Sequence, residues 1–443
     1  MSLNYSTRRP LSRADDKPHA YSSNSSDLGP ARIQSEDRAV RLRLLCVGGE
    51  DHHLRIPFLV ALRQRGIEVI AVGTGDGSPF ARAGIAYHSF RFDRFVNPLA
   101  DLTAIKVLRG LIAELRPDLV QCFDTKPNLL VPLAARGIGD VAVIRTINGL
   151  GWIYSARSAL ALALRPVYLA LHRLAARGTA MTVFQNRDDQ AFFRRHAMIG
   201  KGSNRLIPGS GIDVARFEQA VATGPSPNDL RRSLGLENYD IVITVTRLTR
   251  QKGIPTLLEA ASLIHAERPT VRFLLVGPRE SEGPLAVTQA EIDRHAPYVV
   301  AVGARSDVPS LLRVADVFAF PTEYREGVPR ALLEAALAEL PIVTTSMPGC
   351  NDVVRDGWSG FLVPPQSPRL LATKILDLLD DRAAARAMGT NAAELVRREF
   401  NLDLTVTRYA AAYDELLGDS LRSKRHAATN RVGCGSPGKE SFS

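Results

Sequence analysis

The sequence predicts an α/β fold with two doubly wound domains, because short apolar runs typical of parallel strands alternate with helical stretches in two successive series. The strands of the first series are predicted at 42–47, 67–72, 118–123, 142–147 and 180–184. Those of the second series are predicted at 240–245, 271–277, 298–302, 317–320 and 341–345. This alternation predicts parallel sheets that are covered by helices on both faces. Ligands of open parallel sheets lie at the carboxyl ends of the strands, so we expect the site in a cleft between the two domains.

The domain boundaries follow from the same pattern. The first strand ends in Gly48 and Gly49, which predict a turn at its carboxyl end. The turn-rich segment 222–228 lies between the two series and fits a junction. The two ends of the chain are polar and poor in aromatic residues, which is typical of disorder. We therefore predict a disordered tail at 1–38, a first domain at 39–215, a second domain at 216–398 and a disordered basic tail at 419–443.

The composition is that of a globular protein. Of the 443 residues, 45% are hydrophobic, and the four cysteines form no CxxC or Cys/His cluster. This argues against a structural zinc site or a disulfide framework and favours a reduced compartment. We expect neither a signal peptide nor a transmembrane helix. The net charge of +10 suits an anionic surface or phosphate-bearing substrates. Nucleic acid is the weaker alternative, because the basic residues are scattered and not interleaved with aromatic residues.

Two carboxylates, Glu326 and Glu334, stand on either side of a predicted helix start. Pro329 suits the first turn of that helix, and Gly327 allows a close approach of the backbone. The free N–H groups of Gly327 and Val328 would form an anion site. Two interpretations remain open. In one, Glu334 accepts hydrogen bonds from a ribose and Glu326 from a sugar; in the other, both are solvated carboxylates.

A basic segment follows the first strand of the second series. Arg247 comes directly after that strand, and Lys252 precedes a helix. A guanidinium offers a fork of donors and an ammonium offers a point charge, a combination that suits a diphosphate. The alternative is a basic, solvated loop.

In this order and spacing, the motifs resemble the retaining GT-B glycosyltransferases of family 4, the glycosyl transferases group 1 domain. The resemblance covers about residues 240–365 and rests on Arg247 with Lys252, 303–308, 321–335, 341–349 and 356–364. A looser resemblance to the acceptor half of bacterial polysaccharide transferases rests on 125–128, 148–151, 184–186 and 209–213. It implies the GT-B fold, in which two facing Rossmann-like domains enclose a cleft. It also implies a helix at 399–418 that crosses back to the first domain.

The resemblance assigns roles in the donor half, the second domain. Arg247 and Lys252 would be catalytic, holding the donor diphosphate and stabilising charge on the leaving nucleotide. Glu326 would orient the donor sugar, Glu334 would bind the ribose, and Arg305 would lie against the base. The remaining donor-binding candidates are Gly48, Gly49, Gly327, Val328 and Pro329.

The mechanism that the family implies is front-face attack, in which the leaving phosphate takes the acceptor proton. No metal and no cofactor is expected beyond the nucleotide sugar, which is a substrate. No paired-Asp metal motif in the sequence contradicts this expectation.

The acceptor half departs from the family at one position. Many relatives carry a histidine after the strand equivalent to 118–123, where this chain has none. Its role in positioning the substrate passes to Asp124 or Lys126, or is absent. His52 and His53 are interpreted as packing or surface histidines, with a place in the cleft as the alternative. The segment 148–151 is either a flexible acceptor loop or an ordinary turn. The acceptor-side candidates are Asp124, Lys126, Asn128, Asn148, Gly149 and Gly151.

The segment 155–177 mixes leucines with basic residues, as basic amphipathic helices that lie on anionic membranes do. Pro166 would break or kink such a helix. The alternative, favoured for the second half, is that the apolar residues face the domain core. The resemblance implies acceptors that are often undecaprenyl-diphosphate-linked sugars, which supports membrane contact. We expect a cytoplasmic protein, peripheral on the inner face of the plasma membrane.

The resulting hypothesis is transfer of a hexose or N-acetylhexosamine from a UDP-sugar to a lipid-linked saccharide acceptor, with retention, in polysaccharide biosynthesis. One alternative is a sugar-nucleotide epimerase of the GT-B fold, which needs no acceptor. Another is a non-catalytic binding protein in glycan assembly. The spacing of Glu326 and Glu334, together with Arg247 and Lys252, favours transfer.

Overall fold

The computed structural model describes residues 42–432 apart from 91, 93–96, 156–157, 280–282 and 284. The predicted disordered segment 1–38 lies outside these residues. Within them, the first sheet has the strands β1 Arg43–Val47, β2 Glu68–Gly73, β3 Ala86–Ser89, β4 Leu119–Phe123, β5 Ala142–Ile147, β6 Met181–Phe184 and β7 Ser203–Leu206. All pair in parallel in the order β3-β2-β1-β4-β5-β6-β7. The order reverses between β1 and β4, which is where doubly wound sheets bind ligands.

The second sheet repeats this winding. In the described part of the chain its strands are β8 Asp240–Val245, β9 Val271–Val276, β10 Val299–Ala301, β11 Val317–Phe320, β12 Ile342–Thr345 and β13 Phe361–Val363. They are parallel in the order β10-β9-β8-β11-β12-β13. The prediction of two doubly wound α/β domains is therefore confirmed. The sequence missed β3, β7 and β13, because these short edge strands lack a continuous buried apolar run.

Helices cover both faces of each sheet. In the first domain they are α1 Ile56–Gln64, α2 Ser78–Arg82, α3 Pro98–Leu115, α4 Thr125–Ala134, α5 Gly151–Ser155, α6 Ala159–Ala176 and α7 Arg187–Arg195. Those that follow are α8 Val214–Thr223, α9 Pro227–Ser233, α10 Ile254–Glu267, α11 Gln289–Asp293, α12 Val308–Leu312, α13 Arg330–Leu337, α14 Cys350–Val353, α15 Pro368–Asp380, α16 Arg382–Glu399 and α17 Leu402–Val432. Among the described residues, Glu50–Arg55 and Arg250–Lys252 form 3-10 helices.

Each sheet is buried on both faces. In β1, Leu44 and Cys46 join one core cluster, which includes residues of α1 and α17. Leu45 and Val47 join the other, with residues of α3 and α4. Successive side chains of a strand point to opposite faces, so a nearly continuous apolar strand supplies both layers.

Pro166 lies inside α6 and does not end it. A break or kink was expected at this residue, and the predicted break is wrong. The proline removes one hydrogen-bond donor, and Pro166 is exposed, where water can satisfy the carbonyl that is left.

The last helix returns to the first domain, as the resemblance implied. In α17, Tyr409 packs on Phe58 of α1 with ring centres 5.0 Å apart, and the hydroxyl of Tyr413 donates to Gln121 of β4. The helix continues to Val432, so the predicted end at 418 and the predicted disorder of 419–432 are wrong. No Gly or Pro interrupts 419–432, which leaves the helix without a stop. The predicted domain boundaries at 215 and 398 stay predictions.

Candidate active site

Lys252 and Glu326, 74 positions apart in sequence, form an ion pair. Their side chains are only 10% and 15% exposed, so both charges are largely removed from water. The Lys252 ammonium also lies 5.2 Å from the ring centre of Tyr324, a cation–π distance. The sequence predicted that these two groups share a site, and the structure brings them together. Their catalytic role stays a prediction.

Gly253 explains how Lys252 reaches this position. The residue ends the 3-10 helix with φ +72°, and a Cβ there would clash with the carbonyl oxygen of Pro321. Only glycine combines this backbone conformation with so close an approach. The loop after β8 is thereby packed against the loop after β11, the two strands between which the second sheet reverses.

Arg247 follows β8 at the same edge and is half-buried. Its position at the reversal of the sheet fits the predicted phosphate role, which stays a prediction.

Glu334 lies in the second turn of α13, 16% exposed, and its Oε1 accepts a hydrogen bond from Nε of Arg330 at 2.7 Å. The sequence predicted Pro329 in the first turn of this helix, but Pro329 is its N-cap residue. Val328 is half-buried and faces Gly209 of the first domain. The first N–H groups of α13 therefore lie near the contact between the domains.

Arg305 is exposed after β10, and its guanidinium makes two hydrogen bonds to Asp307, at 2.8 and 2.6 Å. These two hydrogen bonds lower the pKa of Asp307 and raise the pKa of Arg305, because they stabilise both charged groups. Arg305 is thus held by its own loop, and its predicted contact with the base stays a prediction.

Asp124 organises the first domain at the reversal between β1 and β4. Its carboxylate accepts from the backbone N–H of Gly49 at 2.8 Å, from Arg55 at 2.9 Å and from the amide of Asn148 at 2.7 Å. Burial raises the pKa of Asp124, but the charge of Arg55 and these hydrogen bonds outweigh it and hold that pKa below its ordinary value. An ionised carboxylate that accepts from three donors orders the loops around it, and the predicted role of Asp124 on the acceptor side stays a prediction.

Gly48 and Gly49 were predicted to contact the donor, and the structure places them against groups of the first domain. A Cβ on Gly48 would clash with the ring of His52. Gly49 gives its N–H to Asp124. Their donor contact stays a prediction.

The two histidines of this region fit the packing interpretation. His52 is buried and stacks on Phe80 at 5.4 Å, while His53 is exposed. Burial lowers the pKa of His52 to about 3, so its imidazole is neutral.

The other acceptor-side candidates divide into two groups. Lys126 pairs with Asp101 of α3 at 2.6 Å. The side chain of Asn128 is buried. Its amide Nδ2 donates to the carbonyl oxygen of Thr146 at 2.7 Å, and its Oδ1 accepts from the backbone N–H of Thr146 at 3.1 Å. The amide oxygen and one amide N–H of Asn128 are thus bonded to β5, and its assignment to the acceptor site stays a prediction.

Asn148, Gly149 and Gly151 lie where the two domains meet. Gly149 has φ +115°, and a Cβ there would lie 2.5 Å from the carbonyl oxygen of Arg325. Gly151 has φ +69° and a Cβ there would lie 3.1 Å from Oγ1 of Thr125. The segment packs against the loop that carries Glu326, and its role as a flexible acceptor loop stays a prediction.

Two cross-domain partners of the loop that carries Glu326, Asn186 and Asp189, were not predicted from the sequence. The amide of Asn186 donates to the carbonyls of Glu326 and Gly327 at 3.0 and 3.2 Å. Arg325 forms an ion pair with Asp189 at 3.2 Å. The segment 184–186 was singled out for its resemblance to the acceptor half, but nothing in it predicted a bond to the loop of Glu326. The cationic side chain of Arg325, next to Glu326, was a signal that could have pointed to an acidic partner.

No metal site is evident in the part of the chain that the structure describes, since no group of three or more His, Cys, Asp or Glu side chains is suitably placed. The expectation of a metal-independent enzyme stays a prediction.

Comparison with known families matches both halves of the chain. Residues 58–216 match glycosyltransferase family 4, and residues 239–381 match the glycosyl transferases group 1 domain. Together the matches span more than half of the chain.

Curated relatives are similar over most of their length. An N,N'-diacetylbacillosaminyl-diphospho-undecaprenol α-1,3-N-acetylgalactosaminyltransferase of Campylobacter jejuni is 25% identical over 84% of this chain and 97% of its own. A UDP-Gal:α-D-GlcNAc-diphosphoundecaprenol α-1,3-galactosyltransferase of Escherichia coli is 26% identical over 73% of this chain and 82% of its own.

Solved structures show the same fold. Anabaena HepE in complex with UDP-glucose superposes with a TM-score of 0.71 at 20% identity, covering 85% of this chain and 100% of its own. Sucrose-phosphate synthase of Thermosynechococcus elongatus superposes with a TM-score of 0.69 at 20% identity over the same shares. The GT-B fold is thus confirmed, and with both family matches the chain belongs to the family 4 glycosyltransferases and is a sugar-transferring enzyme.

Proposed function

We propose that this glycosyltransferase moves a hexose or N-acetylhexosamine from a UDP-sugar to a saccharide on a polyprenyl-diphosphate carrier, with retention, in polysaccharide biosynthesis. The observation that carries the proposal is the largely buried Lys252–Glu326 pair at the carboxyl edge of the second sheet. The relatives from C. jejuni and E. coli are named for undecaprenol-diphosphate-linked acceptors, and the second is named for UDP-Gal. These names support the choice of donor and acceptor class.

The cationic groups act on the leaving nucleotide. Lys252 and Arg247 hold the diphosphate, and the positive end of α13 adds to the field at this edge. Charge that develops on the phosphate as the glycosidic bond breaks is stabilised by groups already in place, which lowers the barrier. Glu326 then releases Lys252 to the phosphate and accepts hydrogen bonds from the sugar.

Transfer forms one bond and breaks one bond at the anomeric carbon. The acceptor hydroxyl oxygen attacks from the face that the diphosphate leaves, and the bond from the anomeric carbon to the phosphate oxygen breaks. The proton of the acceptor hydroxyl passes to that phosphate oxygen. No side chain has to act as the base, which agrees with an Asp124 whose three hydrogen bonds are already made.

The saccharide acceptor brings the enzyme to the inner face of the plasma membrane, where α6 is the proposed contact. Within the described residues α6 is long and apolar enough to cross a membrane, a test that core helices of soluble proteins also pass. It exposes Leu160 and Val167 by 62% and 51%, and it contains no acidic residue. Exposed Arg173 lies near its end. An apolar face beside basic side chains suits an anionic lipid surface.

The test of the function is a panel of nucleotide sugars with polyprenyl-diphosphate-linked acceptors, in which product anomers are assigned by NMR. We expect turnover of a UDP-sugar, formation of an α-linkage from the α-configured donor and loss of at least about 100-fold in kcat for Lys252→Ala and for Glu326→Ala, the usual scale for one electrostatic donor. Asp380→Ala, which removes the exposed partner of Arg268, is the control and should retain the parent rate. Near-normal transfer by both site variants would reject the assignment.

A further inference from the structure

The loop that carries Glu326 is held by the first domain as well as by its own. Asn186, at the start of α7, is fully buried, and its Nδ2 lies within hydrogen-bonding distance of three acceptors. These are Oδ2 of Asp189 at 2.8 Å and the carbonyl oxygens of Glu326 and Gly327 at 3.0 and 3.2 Å. The other end of the same amide accepts the N–H of Asp189 at 2.7 Å and so caps α7. One side chain therefore joins the cap of a first-domain helix to the main chain of the proposed catalytic glutamate.

A buried ion pair lies beside this contact. Arg325 reaches Asp189 at 3.2 Å, and the side chain of Asp189 is fully buried. The N–H of Arg325 also donates to Oγ of Ser155 at 3.1 Å. Burial raises the pKa of Asp189, and Arg325 is an opposing cation from the other domain. A buried carboxylate that loses its cation is strongly destabilised, so this pair favours the contact between domains.

Close packing on several sides constrains the conformation of the loop that carries Glu326. A Cβ on Gly327 would clash with Oε1 of Gln185, and one on Gly349 would clash with the carbonyl of Gly327. On the opposite side, Gly149 faces the carbonyl of Arg325. Groups from three loops thus surround 325–327, and close-packed interiors transmit small displacements.

We propose that Asn186 is a positioning residue that aligns the Glu326 carboxylate for transfer. The Asp189–Arg325 pair supports the same alignment. Lys252 and Glu334 are anchored within the second domain, whereas the main chain of Glu326 is bonded to the first. Nucleotide binding is then a property of the second domain, and the transfer step depends on the contact between domains. The inference rests on the proposed role of Glu326.

Asn186→Ser tests the proposal, because serine still caps α7 but is too short to reach Glu326. We expect kcat to fall about 30-fold, equivalent to about 2 kcal/mol, while the KM for the UDP-sugar and the Kd for UDP change less than about twofold. Ser226→Ala, which removes the cap of α9 far from this contact, is the control and should keep the parent kcat. A parent-like kcat in Asn186→Ser would overturn the proposal, as would a parallel loss of kcat and UDP affinity.

Arg325 provides an independent variant. Arg325→Gln should lower kcat with unchanged UDP affinity, and Arg325→Lys, which retains the charge facing Asp189, should recover most of that loss. Equal kcat in the two variants would remove the ion pair from the proposal. If Glu326→Ala transfers sugar normally, the proposed role of Glu326 fails and the positioning role fails with it. If Glu326→Ala is impaired and Asn186→Ser is not, the positioning role alone fails.

Discussion

Asp124 has a strained backbone conformation, and its carboxylate accepts hydrogen bonds from three residues. Its φ of +69° and ψ of 161° fall in a region that is almost restricted to glycine, and such a conformation costs about 1–3 kcal/mol. The bonds from Gly49, Arg55 and Asn148 offset this cost. Because these donors belong to the loops after β1 and β5, the strained residue ties three loops of the first domain together.

Replacing Asp124 with Asn keeps the shape and removes the charge. We expect the free energy of unfolding at pH 7 to fall by about 2–4 kcal/mol, because Arg55 is left buried and unpaired. The folded-state pKa of Asp124 is depressed, so its stabilisation is present above the unfolded pKa of about 4 and is lost as the pH falls through the folded value. Urea titrations of the parent and of Asp124→Asn from pH 7 to pH 3 measure this effect. The difference between their free energies of unfolding should shrink as the pH falls.

The control for this prediction is Asp380→Asn, which removes an exposed partner of Arg268. Exposed pairs contribute about 0–1 kcal/mol, so the control should change little. A gap between Asp124→Asn and the parent that grows in acid would contradict the depressed pKa.

At the residue scale, the sequence could predict groups that belong to one motif but not partners that are distant in the chain. Lys252 and Glu326 follow strand ends in a familiar order, which made their meeting predictable. Arg325 and Asp189 are 136 positions apart and meet only because the two domains touch. The bond between Asn128 and Thr146 of β5 was not predictable for the same reason, because the two residues belong to different elements.

Helix α6 shows how an element can divide between two environments. The second half was expected to face the core, and Tyr168 and Ala175 do so. Val167 and Leu171 remain 51% and 39% exposed, which the expectation did not foresee. Periodicity predicts which residues share a face of a helix, but the sequence does not state what covers that face.

If α6 contacts the membrane, acidic substitutions on its exposed face should release the enzyme. Leu160→Asp with Leu162→Asp should weaken flotation with vesicles of phosphatidylglycerol and phosphatidylcholine by at least about tenfold, since a fully buried leucine side chain contributes about 1.5–3 kcal/mol. Salt should weaken binding as well, because the Debye length falls from about 10 Å at 0.1 M to about 3 Å at 1 M.

The matched control for α6 is Leu263→Asp, which alters a leucine of α10 that is 40% exposed in the second domain. It should float like the parent. Failure of the parent enzyme to float at moderate salt would reject the membrane contact.

At the scale of the whole molecule, we expect UDP to raise the thermal stability of the second domain. This follows if the nucleotide binds that domain alone and does not depend on the contact between the domains. UDP at about 100 times its Kd should stabilise the second domain by about 2.7 kcal/mol, measured by calorimetry. Lys252→Ala should reduce this shift, and Asn186→Ser should leave it unchanged. An equal shift in Lys252→Ala and the parent would place UDP elsewhere.

The fold as a whole was predictable because two long series of buried strands dominate the sequence. The extent of α17 was not, since the sequence between 419 and 432 carries helix-forming residues beside the charge and polarity typical of a tail. Local composition alone does not separate these two outcomes.

The return of α17 to the first domain has a consequence for synthesis on the ribosome. Tyr409 and Tyr413 are core residues of a domain whose strands all precede residue 207. That core therefore stays incomplete until the entire second domain has been translated. Domains generally fold in the order in which they emerge, but here the first to emerge is the last to be completed, and a nascent chain stalled before residue 402 would expose the apolar surface that α17 covers.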